Sequence, residues 1–103
     1  MNKHLVQILV PEADNDGKPF PEGIMRGIQA ELGERFGGIT AYSRAPAKGT
    51  WSRESEHQRD DIIVVEVMAD TLDLRWWSAF RRKLERLLSQ EQIVIRTIAI
   101  DII

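Results

Sequence analysis

Several features that would point to a particular class of protein are missing from this sequence. It contains no cysteine, which excludes a disulfide framework, a thiolate zinc site and thiol catalysis. No apolar run approaches about 18 residues, the length that would predict a membrane span. The residues before Pro11 lack the long apolar segment and small-residue cleavage site of a signal peptide. A net charge of -2 gives no general attraction to nucleic acid or to an anionic membrane. These absences predict a cytoplasmic protein that binds neither.

What is present is enough for one folded unit. A chain of 103 residues has room for one hydrophobic core, so residues 1–103 are predicted to form a single domain. The stretch from Asp60 to Met68 is apolar and β-branched at most positions, which is typical of a central strand.

The other elements can be placed around this strand by periodicity and by turn residues. Pro21 is suited to the first turn of a helix, and Gly37 and Gly38 to its end. Thr71 or Asp73 is suited to cap a second helix. The predicted strands and helices are Leu5 to Val10 (strand), Pro21 to Phe36 (helix), Ile39 to Ala45 (strand), Asp60 to Met68 (strand), the region after Asp73 to Leu88 (helix) and Ile93 to Ile103 (strand).

The resulting order, β-α-β-β-α-β, predicts an α+β fold. Its economical packing is the ferredoxin-like arrangement, a four-stranded antiparallel sheet with both helices on one face. The first and third strands are expected in the middle of the sheet. The second helix is predicted to bury one apolar stripe in the core, with Trp76 at the edge of that stripe. The residues of the stripe are Trp77, Phe80, Leu84, Leu87 and Leu88.

The sheet face without helices is expected to be polar if the protein is a monomer. The strand alternation instead leaves many apolar residues there, among them Leu5, Leu9, Ile62, Val64 and Met68. A contiguous apolar patch favours an interface. The sequence therefore predicts a homodimer through this face, sheet to sheet or by strand exchange at an edge; the alternative is that the long loop or the C-terminal residues cover it.

Two charged residues interrupt apolar strands, Glu66 in the third and Arg96 in the fourth. They are predicted either to pair across the face that lacks helices or to point separately into water. A buried pair would specify register more than it would add stability.

The segment Asp14-Asn15-Asp16-Gly17 resembles the start of a calcium loop. The rest of the twelve-residue pattern is missing, since Pro19, Phe20 and Pro21 follow and no glutamate stands at the required end. We therefore interpret the segment as a turn, and predict no metal and no cofactor.

The densest set of polar residues lies on and beside the long connection before Asp60. His57 is a candidate general base, and an arginine nearby would receive an anionic group of a substrate. Trp51 either covers its own loop or contacts a ligand. The alternative is a solvated loop whose charges cancel. The candidate ligand-binding residues are Tyr42, Arg44, Trp51, Arg53 and His57.

Several short segments, Gly37 to Tyr42, Arg44 to Ala47, Gly49 with Trp51, Arg59 to Ile62 and Glu66 to Met68, resemble small bacterial ferredoxin-like proteins of no assigned activity. The resemblance implies the fold and no catalytic residues. At the level of fold alone the chain is similar to dimeric α+β-barrel proteins, which include small monooxygenases and isomerases.

Two functions follow as hypotheses. The first is a homodimeric binding or interaction domain without catalytic activity. The second is a small dimeric α+β-barrel enzyme acting on an anionic organic molecule, with His57, Tyr42 and an arginine at a cleft. Recognition of RNA by stacked aromatics is not expected, because the central strand exposes Ile, Val, Glu and Met instead.

Overall fold

The computed structural model describes residues 2–44 and 62–103, which form four strands and two helices. The predicted α+β fold with a four-stranded antiparallel sheet is confirmed, and the order of its elements is compatible with a ferredoxin-like arrangement. The elements are β1 (Asn2–Pro11), α1 (Glu22–Phe36), β2 (Ile39–Arg44), β3 (Ile62–Ala69), α2 (Leu74–Leu87) and β4 (Val94–Asp101).

The strands lie side by side in the order β2-β3-β1-β4, so β1 and β3 are central and β2 and β4 form the edges. β1 is longer at both ends than Leu5 to Val10, the strand predicted from the sequence. Its ladders explain the difference, because pairing with β4 begins at Asn2 and pairing with β3 continues to Pro11. Backbone pairing on both sides thus extends the strand beyond its apolar centre.

A single hydrophobic cluster joins side chains of the sheet with side chains of both helices. Alternate residues of the central strands supply the sheet side of the cluster, as expected for side chains with a period of two. Its fully buried members on β1 and β3 are Val6, Ile8, Val10, Val65 and Val67. Its buried helical members are Ile28, Leu32, Trp77, Phe80 and Leu84.

Both ends of α1 follow from residues in the sequence. Pro21 lies at the N-cap, one position earlier than the first-turn position predicted for it, with φ -59° and ψ 143°. Gly37 ends the helix in the left-handed region at φ 84°, and its N–H donates to the Gly33 carbonyl at 2.8 Å. Glycine adopts this conformation without the penalty that a Cβ would add.

α2 begins at a side-chain cap, and the two leucines at its C-terminal end differ in burial. Of the two predicted caps, Asp73 is the one used, since its Oδ1 accepts from the Trp76 N–H at 3.1 Å. Leu87 was predicted in the buried stripe, and this is wrong because its side chain is 49% exposed. The helix ends at Leu87, and Leu88 at the C-cap is the buried one.

β4 is shorter than the predicted strand from Ile93 to Ile103, because its ladder ends where Asp101 faces Asn2 at the start of β1. The hydrophobic core shows which side chains of β4 lie on each face of the sheet. Ile95 packs on the helical side, so Val94, Arg96 and Ile98 belong to the opposite face of the sheet.

Candidate binding surface

The sheet surface opposite the helical cluster, here called the open face, carries several exposed apolar side chains. Met68 on β3, Val94 and Ile98 on β4 and Tyr42 on β2 are between 43% and 52% exposed. They are distributed over three of the four strands, so the apolar surface extends from one edge of the sheet to the other.

A row of hydrogen-bonded polar side chains crosses the middle of the open face. Arg96 Nε donates to Gln7 Oε1 at 2.7 Å, and Gln7 Nε2 donates to Glu66 Oε2 at 2.7 Å. The Tyr42 hydroxyl donates to the same Glu66 oxygen at 2.9 Å. The four residues lie on β4, β1, β3 and β2 in turn, and we call them the polar row.

The polar row corrects the predicted arrangement of Glu66 and Arg96. The register places Gln7 opposite both residues, so two strand spacings, about 9.5 Å, separate their backbones. Neither predicted alternative describes the result. The two charges are joined through the amide of Gln7, which is only 8% exposed and whose oxygen and nitrogen face opposite charges.

Apolar residues flank the polar row on both sides along the strands. Leu5 faces Met68 across β1 and β3 at one side, and Leu9 faces Val64 at the other. Val64 is 1% exposed although it lies on this face, whereas Leu5 and Leu9 are half-buried. The open face is therefore a polar line between two apolar bands.

The candidate ligand-binding residues are only partly within the described residues. Tyr42 lies on the open face and belongs to the polar row. Arg44 ends β2 at the register position opposite Ile62. Trp51, Arg53 and His57 lie outside the described residues. The convergence of these five residues on a ligand therefore stays a prediction, as does the enzyme hypothesis that depends on His57.

The turn interpretation of the acidic segment agrees with the structure. Asp14 Oδ1 accepts from the backbone N–H groups of Asp16 and Lys18 at 2.9 and 2.8 Å. Gly17 donates to the Asp14 carbonyl at 3.0 Å and has φ 85°, in the left-handed region. The carboxylate thus fixes an Asx-type turn. Within residues 2–44 and 62–103, no three His, Asp or Glu side chains are grouped as metal ligands would be.

Trp76 lies at the edge of the core, as its helical position predicts. The Arg35 guanidinium lies over its ring, 4.4 Å from Cζ to the ring centroid, and the ring stacks on Phe80 at 5.0 Å between centroids. Arg35 also lies 3.9 Å from a carboxylate oxygen of Asp73. Trp76 is therefore occupied by contacts within the domain that join α1 to α2.

One carboxyl group at the end of the sheet has a shifted pKa. The Lys3 ammonium donates a hydrogen bond to Asp70 Oδ1. This bond and the positive charge of Lys3 hold the pKa of Asp70 below its usual range. The pair links β1 to the residue that follows β3.

The contribution of Gln7 is the feature of this surface that sequence reasoning missed. The strand alternation places Gln7 on the open face, but its role appears only with the register that sets it between Arg96 and Glu66. A polar residue between charged residues of opposite sign on the two neighbouring strands was the available signal.

No protein-family model and no curated protein sequence matches this chain. The resemblance to small ferredoxin-like proteins therefore rests on the residues themselves. Neither α1 nor α2, the helices that the described residues form, has the length and apolar character needed to cross a lipid bilayer.

Proposed function

We propose that this protein is a homodimeric interaction domain without catalytic activity, and that the open face is its self-association surface. In this proposal the fold is ferredoxin-like, with both helices on one side of the sheet. The contact between the two copies is then made by the other side.

The observation that carries the proposal is the group of half-exposed apolar side chains on the open face. Met68, Val94 and Ile98 stand beside a polar row in which the Gln7 amide, the Tyr42 hydroxyl and the Arg96 Nε–H are already hydrogen-bonded within the chain. A second copy can therefore cover the row without leaving those groups unsatisfied, which would otherwise be costly.

The size of the face agrees with a small specific interface. Four strands about 4.8 Å apart and about 25 Å long give roughly 500 Å2 of flat area per copy. A pair of copies then buries about 1,000 Å2, at the lower limit for specific contacts between proteins. We expect a dimer that dissociates on dilution.

The test compares lysine substitutions at two equally exposed apolar positions. Ile98 lies on the open face at 48% exposure, and Leu87 lies on α2 at 49%. Ile98→Lys is expected to give folded monomers, since a half-exposed isoleucine contributes about 1 kcal/mol per copy when covered, and the lysine charge adds a desolvation cost. Leu87→Lys is the matched control and is expected to remain a dimer.

Molar mass from light scattering after gel filtration gives the answer, with far-UV circular dichroism as the check on folding. A wild-type dimer that persists in Ile98→Lys would contradict the proposal. Val64 is unsuitable for the test because it is 1% exposed, and a lysine there would disturb the monomer itself.

A third variant separates two ways of forming the dimer. Met68 lies on the central strand β3, away from the β4 edge. Face-to-face packing predicts that Met68→Lys also dissociates the dimer. If Met68→Lys remains a dimer while Ile98→Lys does not, the copies pair along the β4 edge and the open-face proposal is wrong.

A further inference from the structure

The polar row has opposite charges toward its two ends. The positive end is Arg96 on the edge strand β4, and the negative end is Glu66 on β3, next to Tyr42 on β2. The row is therefore a charge dipole that lies in the sheet and runs across the strands.

When two sheets pack face to face with their strands aligned, the two-fold axis runs either close to the strand direction or across the strands. An axis across the strands keeps β4 over β4, so Arg96 faces Arg96 and Glu66 faces Glu66. An axis along the strands places β4 over β2 of the second copy and β1 over its β3. The polar row of one copy then runs in the opposite direction to the polar row of the other. Like charges in contact are unfavourable, and opposite charges are favourable.

We infer that the two copies pack with the two-fold axis along the strands, so that Arg96 of each copy contacts Glu66 of the other. This inference rests on the homodimer proposed above, and it adds the orientation of the copies and the residues that select it. An isologous dimer makes the contact twice.

The guanidinium of Arg96 is already directed toward the second copy's Glu66 in this arrangement. Its Nε bond to Gln7 draws the side chain from the β4 edge toward the centre of the sheet. The axis along the strands places β1 over β3 of the second copy. The carboxylate of Glu66 in that copy then lies above Gln7 and within reach of the remaining Arg96 N–H groups.

The apolar bands fit this orientation, but they do not distinguish it from the other one. An axis along the strands keeps each residue's position along the strand, so Val94 faces Tyr42 of the second copy, and both are nearly half exposed. Ile98 lies over the start of β2, where Gly38 has no side chain to obstruct it. An axis across the strands would also match apolar with apolar, so the charges of the polar row make the selection.

Charge reversal tests the contact. Arg96→Glu alone and Glu66→Lys alone each place like charges at both symmetric contacts, and each is expected to weaken the dimer by about 100-fold, since each close charge pair contributes about tenfold or more. An equimolar mixture of the two variants restores opposite charges at both contacts, so heterodimers are expected.

The heterodimer is identified by native mass spectrometry with one variant labelled with 15N. Arg82→Glu mixed with Glu66→Lys is the control, because Arg82 is exposed on α2. One of the two contacts in that heterodimer stays like-charged, so homodimers of Arg82→Glu are expected to predominate over heterodimers. The bonds within each chain are the same in the mixture and in the separate variants. A higher fraction of dimer after mixing therefore reports contacts between the two copies.

The outcomes separate this inference from the proposal beneath it. A monomeric wild type overturns both the homodimer and its orientation. A dimeric wild type that neither single charge reversal weakens overturns the orientation alone, because with the axis across the strands like charges face each other in the wild type and in both variants. Heterodimers on mixing are expected for either axis, so the weakening of the single variants identifies the axis. Arg96→Gln covers the case in which Arg96→Glu fails to fold. It weakens the dimer if Arg96 contacts Glu66, whereas a stronger dimer would show that Arg96 faces Arg96 and would overturn the inference.

Discussion

Asp14 is the residue whose replacement tests most sharply how the acidic segment after β1 is stabilised. Its Oδ1 accepts from two backbone N–H groups, of Asp16 and Lys18. A net value of about 1 kcal/mol for each exposed, charge-assisted bond predicts that Asp14→Ala lowers the free energy of unfolding by about 2 kcal/mol. In a domain of this size that corresponds to a fall of about 10 °C in Tm.

Asp14→Asn keeps an oxygen acceptor in the same place and is expected to cost less than about 1 kcal/mol, since asparagine also forms such turns. Urea denaturation followed by far-UV circular dichroism measures both variants. Asp16→Ala is the control, because Asp16 contributes its backbone N–H to the described turn, and a change within about 0.5 kcal/mol is expected.

The same measurements repeated with 10 mM CaCl2 distinguish a turn from a metal site. A turn held by hydrogen bonds predicts the same Tm with and without calcium. The reasoning is refuted if calcium raises the wild-type Tm and Asp14→Asn loses as much stability as Asp14→Ala, since a metal site requires the carboxylate charge.

Two further substitutions test other parts of the fold. Asp73→Ala removes the cap of α2 at the Trp76 N–H and is expected to lower the free energy of unfolding, measured by urea denaturation, by about 1 kcal/mol. Asp73→Ser can also cap the helix and is expected to recover most of this loss. Equal losses in the two variants would argue against the cap. Lys3 lowers the pKa of Asp70 in the folded protein. The ion pair therefore stabilises the fold at pH values above the unfolded pKa of about 3.9, and this stabilisation is lost as the pH falls through the lower folded pKa. Asp70→Asn is therefore expected to be less stable than wild type at pH 7 and equally stable at pH 2, and a difference that grows toward low pH would contradict the assigned cause.

The α+β fold was predictable because its local signals agree with one another. Gly37 marks the end of α1, Asp73 caps α2, and the alternation from Ile63 to Val67 places one side of β3 in the core. These features act within a few residues along the chain, which is the range over which sequence patterns carry structural information.

The features that could not be predicted depend on contacts between distant parts of the chain. Helical periodicity places both Leu87 and Leu88 near the apolar stripe and does not decide between them, and in the structure Leu88 is the buried one. The bond from Arg96 to Gln7 joins residues 89 positions apart, and it follows from the register of β4 against β1, which periodicity does not specify uniquely.

For the open face, too, the sequence predicted some features and not others. The apolar character of the open face follows from alternation, and Met68 is on it as expected. Val64 is buried on that face, and its burial does not follow from alternation. A period of two identifies the face of a strand but not the depth of a residue within that face.

The most direct test of the central claim is the molar mass of the wild-type protein as a function of concentration, by sedimentation equilibrium. A self-associating open face predicts a mass that rises from the 11.8 kDa of one chain at low concentration to twice that value and no further, because a two-fold face-to-face contact is closed. A mass of one chain at every concentration up to the millimolar range would contradict the account, and so would growth beyond two chains.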